Sequence, residues 1–131
     1  MLQRAETSVA LTGVEASRSF FAPCFASSAV ERLWVAHLDD EARCIHLASY
    51  EGGVDAVDIP VRSIIGDAIR FDSRGIMLAH NHPSGQCAPS RSDKVATRAL
   101  AIAAEAIDLT LLDHLVFAGH DCASFRRMGL L

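Results

Sequence analysis

The side chains best able to do chemistry together lie in residues 79–93, which read AHNHPSGQCAPSRSD. His80 and His82 stand two apart at the end of a short apolar run. On an extended backbone, side chains two apart face the same way. Neutral imidazole is a favoured zinc ligand. Asp93 follows His82 by eleven residues, at what reads as the start of a helix, and can fold back across the loop. Two imidazoles and a carboxylate would make three protein ligands. A fourth tetrahedral position would stay open, as in catalytic rather than structural zinc sites. A plainer reading stands beside this one. Histidines in an HxH string are often surface residues near a turn. Ser90-x-x-Asp93 is also close to a helix-capping box. Spacing alone leaves the two readings even.

The elements that position this segment are legible in outline. The chain has 131 residues, 50% hydrophobic and 21% charged. Those figures suit one globular domain with its own core and exclude a disordered chain. Leu33-Trp34-Val35-Ala36 and Leu38 read as a buried strand. Asp39-Asp40-Glu41 is a turn, and residues 44–48 a second strand, so the pair is expected to form a hairpin. Val54, Val57 and Ile59 suggest a third strand. Val61, Ile64, Ile65, Ala68 and Ile69 repeat at helical spacing. Residues 76–79 read as a central strand that delivers His80. Residues 80–90, with Pro83, Gly85 and Pro89, must be irregular. From Ser90 a long helix is expected, with an apolar stripe of Val95, Ala99, Leu100, Ile102, Ala103, Ala106 and Ile107. Residues 109–118 read as a further strand. Phe125, Met128, Leu130 and Leu131 are expected to pack in the tail. Residues 1–13 read as polar and loose, and 14–28 as a helix interrupted near Pro23. Alternating strands and helices behind a hairpin predict an α/β or α+β sheet flanked by helices.

The wider pattern is more specific. His-x-His, seven residues, then Ser-x-x-Asp resembles the JAMM (MPN) metalloprotease signature. The strings LAHNHPSG, LLDHL and SFRRMGLL resemble the bacterial RadC family in particular. The resemblance covers residues 31–131 as one domain, with 1–30 as an N-terminal segment. It implies a cytidine-deaminase-like three-layer α/β/α sandwich with a mixed sheet. It implies zinc on His80, His82 and Asp93, a general base at Glu31 just before the first strand, and an oxyanion-stabilising hydroxyl at Ser90. Glu41 and Glu51 match Glu31 by type but follow that strand. Known JAMM members hydrolyse peptide or isopeptide bonds, so a metal-dependent peptidase-like hydrolase is the expected activity. A non-catalytic MPN-type interaction module is the alternative, and a DNA-repair accessory role follows only from association with the family.

Each role has a physical reason. Zinc brings the pKa of water from about 15.7 to about 7. A carboxylate can take the water proton and pass it to the leaving amine. A hydroxyl can hold a developing oxyanion. Read without the motif, Glu31 is an exposed strand-entry carboxylate and Ser90 a helix N-cap. Cys87, inside the loop, is loop filler or a thiol beside the metal. Asp113-His114, in an apolar run, is a buried hydrogen-bonded pair or a support that orients a metal ligand. His37, His46 and His120 are expected to be structural, and Cys24, Cys44 and Cys122 small core residues. The scattered cysteines form no CxxC pair and suit free thiols in a reducing, cytoplasmic setting. A net charge of −4 argues against a nucleic-acid partner. No window approaches a membrane span of about 20 apolar residues. The expected partners are a protein or peptide substrate and, through sheet edges, a second copy of the chain.

Overall fold

The apolar runs pair into one mixed sheet in the computed structural model, which describes residues 9–26, 30–51 and 59–131. β1 (Arg32–Leu38) and β2 (Cys44–Glu51) form the expected antiparallel hairpin. Its turn is closed by Asp39, whose Oδ1 accepts from the N–H of Glu41 at 2.9 Å and of Arg43 at 3.0 Å. α2 (Val61–Arg70) follows, then β3 (Gly75–Asn81), antiparallel to β1. α3 (Arg91–Glu105) carries the chain over to β4 (Thr110–Ala118), which lies parallel to β3. A parallel pair needs a crossover of this length. β5 (Asp121–Ser124) turns back against β4, and the sheet order is β2-β1-β3-β4-β5.

Strand alternation divides the core into two halves. Leu33, Val35, Ile76 and Leu78 pack against Ile64 and Ala68 of α2 and Leu100 and Ala104 of α3. On the opposite face, Ala36, Leu38, Met77, Ala79 and Leu115 pack with Leu11 and with Phe21 of α1 (Val14–Phe25). The result is the three-layer α/β/α arrangement with a mixed sheet. His80 continues the Ile76–Leu78 row, so it faces α3, whereas Asn81 faces the α1 side. Among the described residues, no helix is long and apolar enough to cross a membrane.

Several local expectations are corrected. Val9–Gly13 is not loose throughout: Leu11 is fully buried, and its N–H donates to the Ala42 carbonyl at 2.9 Å. The third strand expected near Val54 falls on residues 52–58, outside the described residues, and Ile59 is not in a strand. The α3 stripe is rotated. Val95 and Ile102 are 64% and 62% exposed, and the buried row is Asp93, Thr97, Leu100 and Ala104. The first inward turns of α3 are polar, so hydrophobicity alone phased the helix wrongly. Within the tail, Phe125 is buried, but Met128 and Leu130 are exposed. β5 is an addition. It is only four residues long, entered through Gly119 at φ +59, and too short to show alternation.

Candidate metal centre

β3 ends at Asn81, and the loop behind it opens on His82. The His82 N–H still bonds the Phe117 carbonyl of β4 at 2.8 Å, which keeps the backbone extended for one more residue. His80 and His82 therefore point the same way, with their Nε2 atoms 2.9 Å apart. α3 brings the carboxylate. Asp93 Oδ2 lies 3.2 Å from His82 Nε2 and 3.5 Å from His80 Nε2. The His80 and Asp93 side chains are 0% and 3% exposed.

The cap of α3 fixes Asp93. Ser90 Oγ accepts from the Asp93 N–H at 3.0 Å, and the Ser90 N–H donates to Asp93 Oδ2 at 2.8 Å. Ser90 is thus the N-cap of a full capping box, as the plainer reading held. Its hydroxyl also meets Ser92 Oγ at 3.0 Å. Burial by itself raises the Asp93 carboxyl. His80 and the Ser90 backbone N–H outweigh it and hold the group well below the usual carboxylate range.

The outer ring nitrogens decide where the lone pairs point. His82 Nδ1 lies 2.8 Å from the Gln86 carbonyl, which can only accept, so Nδ1 carries the hydrogen, and in the neutral ring Nε2 is bare. His80 Nδ1 lies 2.6 Å from His114 Nε2, and His114 Nδ1 lies 2.7 Å from Thr97 Oγ1. His114 is completely buried. Burial first, and then the neighbouring His80, push its pKa well below the ordinary value, so its ring is neutral. A neutral ring has one donor and one acceptor. Thr97 Oγ1 can accept from His114 Nδ1–H; His114 Nε2 then accepts from His80 Nδ1–H, and a neutral His80 ring leaves its Nε2 bare as well. Two imidazole lone pairs and a carboxylate oxygen then face one another. Such a set repels unless a cation or a proton sits between its members. Ligand atoms of a tetrahedral zinc lie about 3.3 Å apart, given bonds of about 2.0–2.1 Å. The residues present therefore fit a divalent ion.

Glu31 sits just before β1. Its Oε1 is 3.8 Å from His82 Nε2, and its side chain is 9% exposed. Ligating atoms of Glu31, His80 and His82 all lie within 4.8 Å of one another. The carboxylate nearest both histidines is nevertheless that of Asp93, and Glu31 stands one step further out. Cys87 is half-buried and is not among the converging side chains. Burial pushes the thiols of Cys44 and Cys122 up to about 11. Asp113 makes no hydrogen bond to His80 or His82. Its carboxylate accepts from the N–H groups of His114 at 2.7 Å and Arg126 at 3.0 Å, and from the Ser124 hydroxyl. Those bonds hold Phe125 in a stack on the His114 ring, centroids 4.5 Å apart. Asp113 thus acts on the site only through His114.

Sequence reasoning missed Thr97, the Gln86 carbonyl and Asn81. Thr97 was findable, since it follows Asp93 by one helical turn and shares its face. The Gln86 carbonyl leaves no trace in side-chain identity. A cleft of about 620 Å³ opens beside His82, lined among others by Arg18, Phe25, Asn81, Pro83 and Phe117.

A five-strand mixed sheet between helical layers, with two histidines and an aspartate at the end of its central strand, defines a JAB/MPN-type domain. The model of the RadC-like JAB domain matches residues 11–130, and the chain belongs to the RadC family. It is similar to the UPF0758 proteins YfjY and YkfG of Escherichia coli (strain K12). Each is 32% identical over 96% of this chain, covering 79% of YfjY and 80% of YkfG. It is also 30% identical to UPF0758 protein VSAL_I0192 of Aliivibrio salmonicida (strain LFI1238), over 98% of this chain and 58% of that protein.

Proposed function

We propose that this chain is a zinc-dependent hydrolase of the JAMM type, acting on amide bonds of the peptide or isopeptide kind. The observation that carries the reading is the convergence of His80 Nε2, His82 Nε2 and Asp93 Oδ2 with the Glu31 carboxylate alongside. When bound, the ion would supply Lewis acidity and make water nucleophilic near neutral pH. His80, His82 and Asp93 would hold it. Glu31 is close enough to serve the same centre but is not needed as a ligand. It would accept the proton of the attacking water and return it to the leaving amine. The Ser90 hydroxyl accepts from the Asp93 N–H and lies 3.0 Å from Ser92 Oγ; with Ser92 as the donor of that pair, the Ser90 proton would be left for the developing oxyanion. The cleft beside His82, where Ala22, Phe25, Pro83 and Phe117 stand among the polar Arg18, Asn81 and His120, would offer room for the acyl part of a substrate.

Metal analysis of protein purified without added zinc tests this reading first. About one equivalent per chain is expected. Less than about a tenth of an equivalent, unrestored by zinc, contradicts it. In a screen of peptide and isopeptide substrates, Glu31→Gln should keep its metal and lose about 10²–10⁴-fold in turnover. Equal turnover by Glu31→Gln and the unaltered chain would remove Glu31 from the mechanism.

A further inference from the structure

Asn81 lies between the two histidines but points to the other face of the sheet. Its side chain is almost fully buried and makes two directed bonds. Oδ1 accepts from the Arg32 N–H at 2.8 Å, and Nδ2 donates to the Val30 carbonyl at 3.0 Å. These two backbone groups flank Glu31 on either side. The backbone ladder between β1 and β3 stops one pair earlier, at Leu33↔His80. The Asn81 amide thus extends the pairing past the end of the ladder. It grips the strand-entry segment at the residue that must present its carboxylate to His82.

From this geometry we infer that Asn81 is the positioning residue for the Glu31 carboxylate. The inference rests on the metal-centre reading above and adds how the base is held. The chemistry of the position is restrictive. It needs an acceptor for an N–H and a donor for a C=O on one short, planar, buried group, and the asparagine amide supplies both. Aspartate would keep the acceptor and lose the donor. Alanine would lose both and leave two backbone groups without these bonds. Because Asn81 follows His80 directly, one stretch of β3 presents His80 to the centre from one face and, through the Asn81 amide on the other, holds the backbone that brings Glu31 to the same centre.

The test is a double-mutant cycle on zinc affinity, measured by competition with a chromophoric chelator, in the full chain. A carboxylate near the ion strengthens its binding, so Glu31→Gln should weaken zinc by roughly three- to tenfold. Asn81→Ala should weaken it by a similar factor, because the carboxylate is no longer held in place. Asn81→Ala added to Glu31→Gln should change nothing further. Asn81→Asp should resemble Asn81→Ala. A purely structural role would lower affinity equally in both backgrounds, and that result overturns the inference while leaving the metal centre standing. An Asn81→Ala protein that binds zinc like the unaltered chain overturns it too. Absence of zinc binding in the unaltered chain overturns the metal centre and this inference together. His80→Ala in each background checks that the same site is being read, and it should abolish tight binding in both.

Discussion

Two histidines of the same antiparallel strand pair are fully buried, one near each end of the sheet. His37 of β1 stands opposite Ile76, and His80 of β3 opposite Leu33. Both have further rings nearby. The His37 ring centroid is 5.8 Å from that of His46 and 6.0 Å from that of Phe71, and its Nδ1 meets Ser73 Oγ at 2.9 Å. Among the described residues its Nε2 has no hydrogen-bond partner. Burial first, then His46, push the His37 pKa down to about 4. At the other end, each outer nitrogen of His80 and His82 has a partner, and the inner ones converge on a carboxylate. Clustered imidazoles are common to both ends. What differs is a carboxylate held by a helix cap, together with partners for the outer ring nitrogens that leave the inner ones facing that carboxylate. That difference separates a packed aromatic cluster from a candidate metal centre.

The largest effect should come from exchanging the two ends. His80→Ala should weaken zinc binding by more than about 100-fold, because two ligands rarely hold zinc tightly. His37→Phe should leave zinc affinity unchanged, and isothermal titration distinguishes the two. Equal losses in both variants would collapse the contrast. The next largest effect concerns the support behind His80. His114→Gln should lower zinc affinity by about 10–100-fold, the usual cost of losing an outer partner. Thr97→Val should cost less, because it removes only the group that orients His114.

Per pH unit, the smallest effect is the proton linkage of His37. Its folded pKa lies below the ordinary value of 6.5, at about 4. Between those values the unfolded chain takes up a proton that the folded chain refuses. The contribution of His37 to stability is therefore complete above pH 6.5 and falls as the pH drops towards 4. Urea unfolding as a function of pH should show a loss of order 1 kcal/mol per pH unit across that window. His37→Phe should flatten that part of the profile, and an unchanged slope would mean that His37 does not titrate this way.

The sequence carries the site further than it carries the packing. His80, His82 and Asp93 were legible because a strand period and a loop length bring them together, and the family pattern added Glu31. Phasing of α3 was not legible. Its inward face begins with Asp93 and Thr97, which serve the histidines, so an apolar count selects Val95 and Ile102 instead. β5 was missed because four residues after a glycine turn carry no periodic signal. Neither spacing nor side-chain type marks Asn81 in the linear pattern. Its role depends on a ladder that ends one residue early, and only strand pairing reveals that.

Two imidazoles and the Asp93 carboxylate, without sulfur, should hold one zinc ion. X-ray absorption at the zinc edge of the loaded protein tests it most directly. The expected first shell is nitrogen and oxygen only, at about 2.0–2.2 Å, with the multiple-scattering pattern of two imidazoles. A sulfur shell at about 2.3 Å would place Cys87 or another thiol on the metal and contradict it.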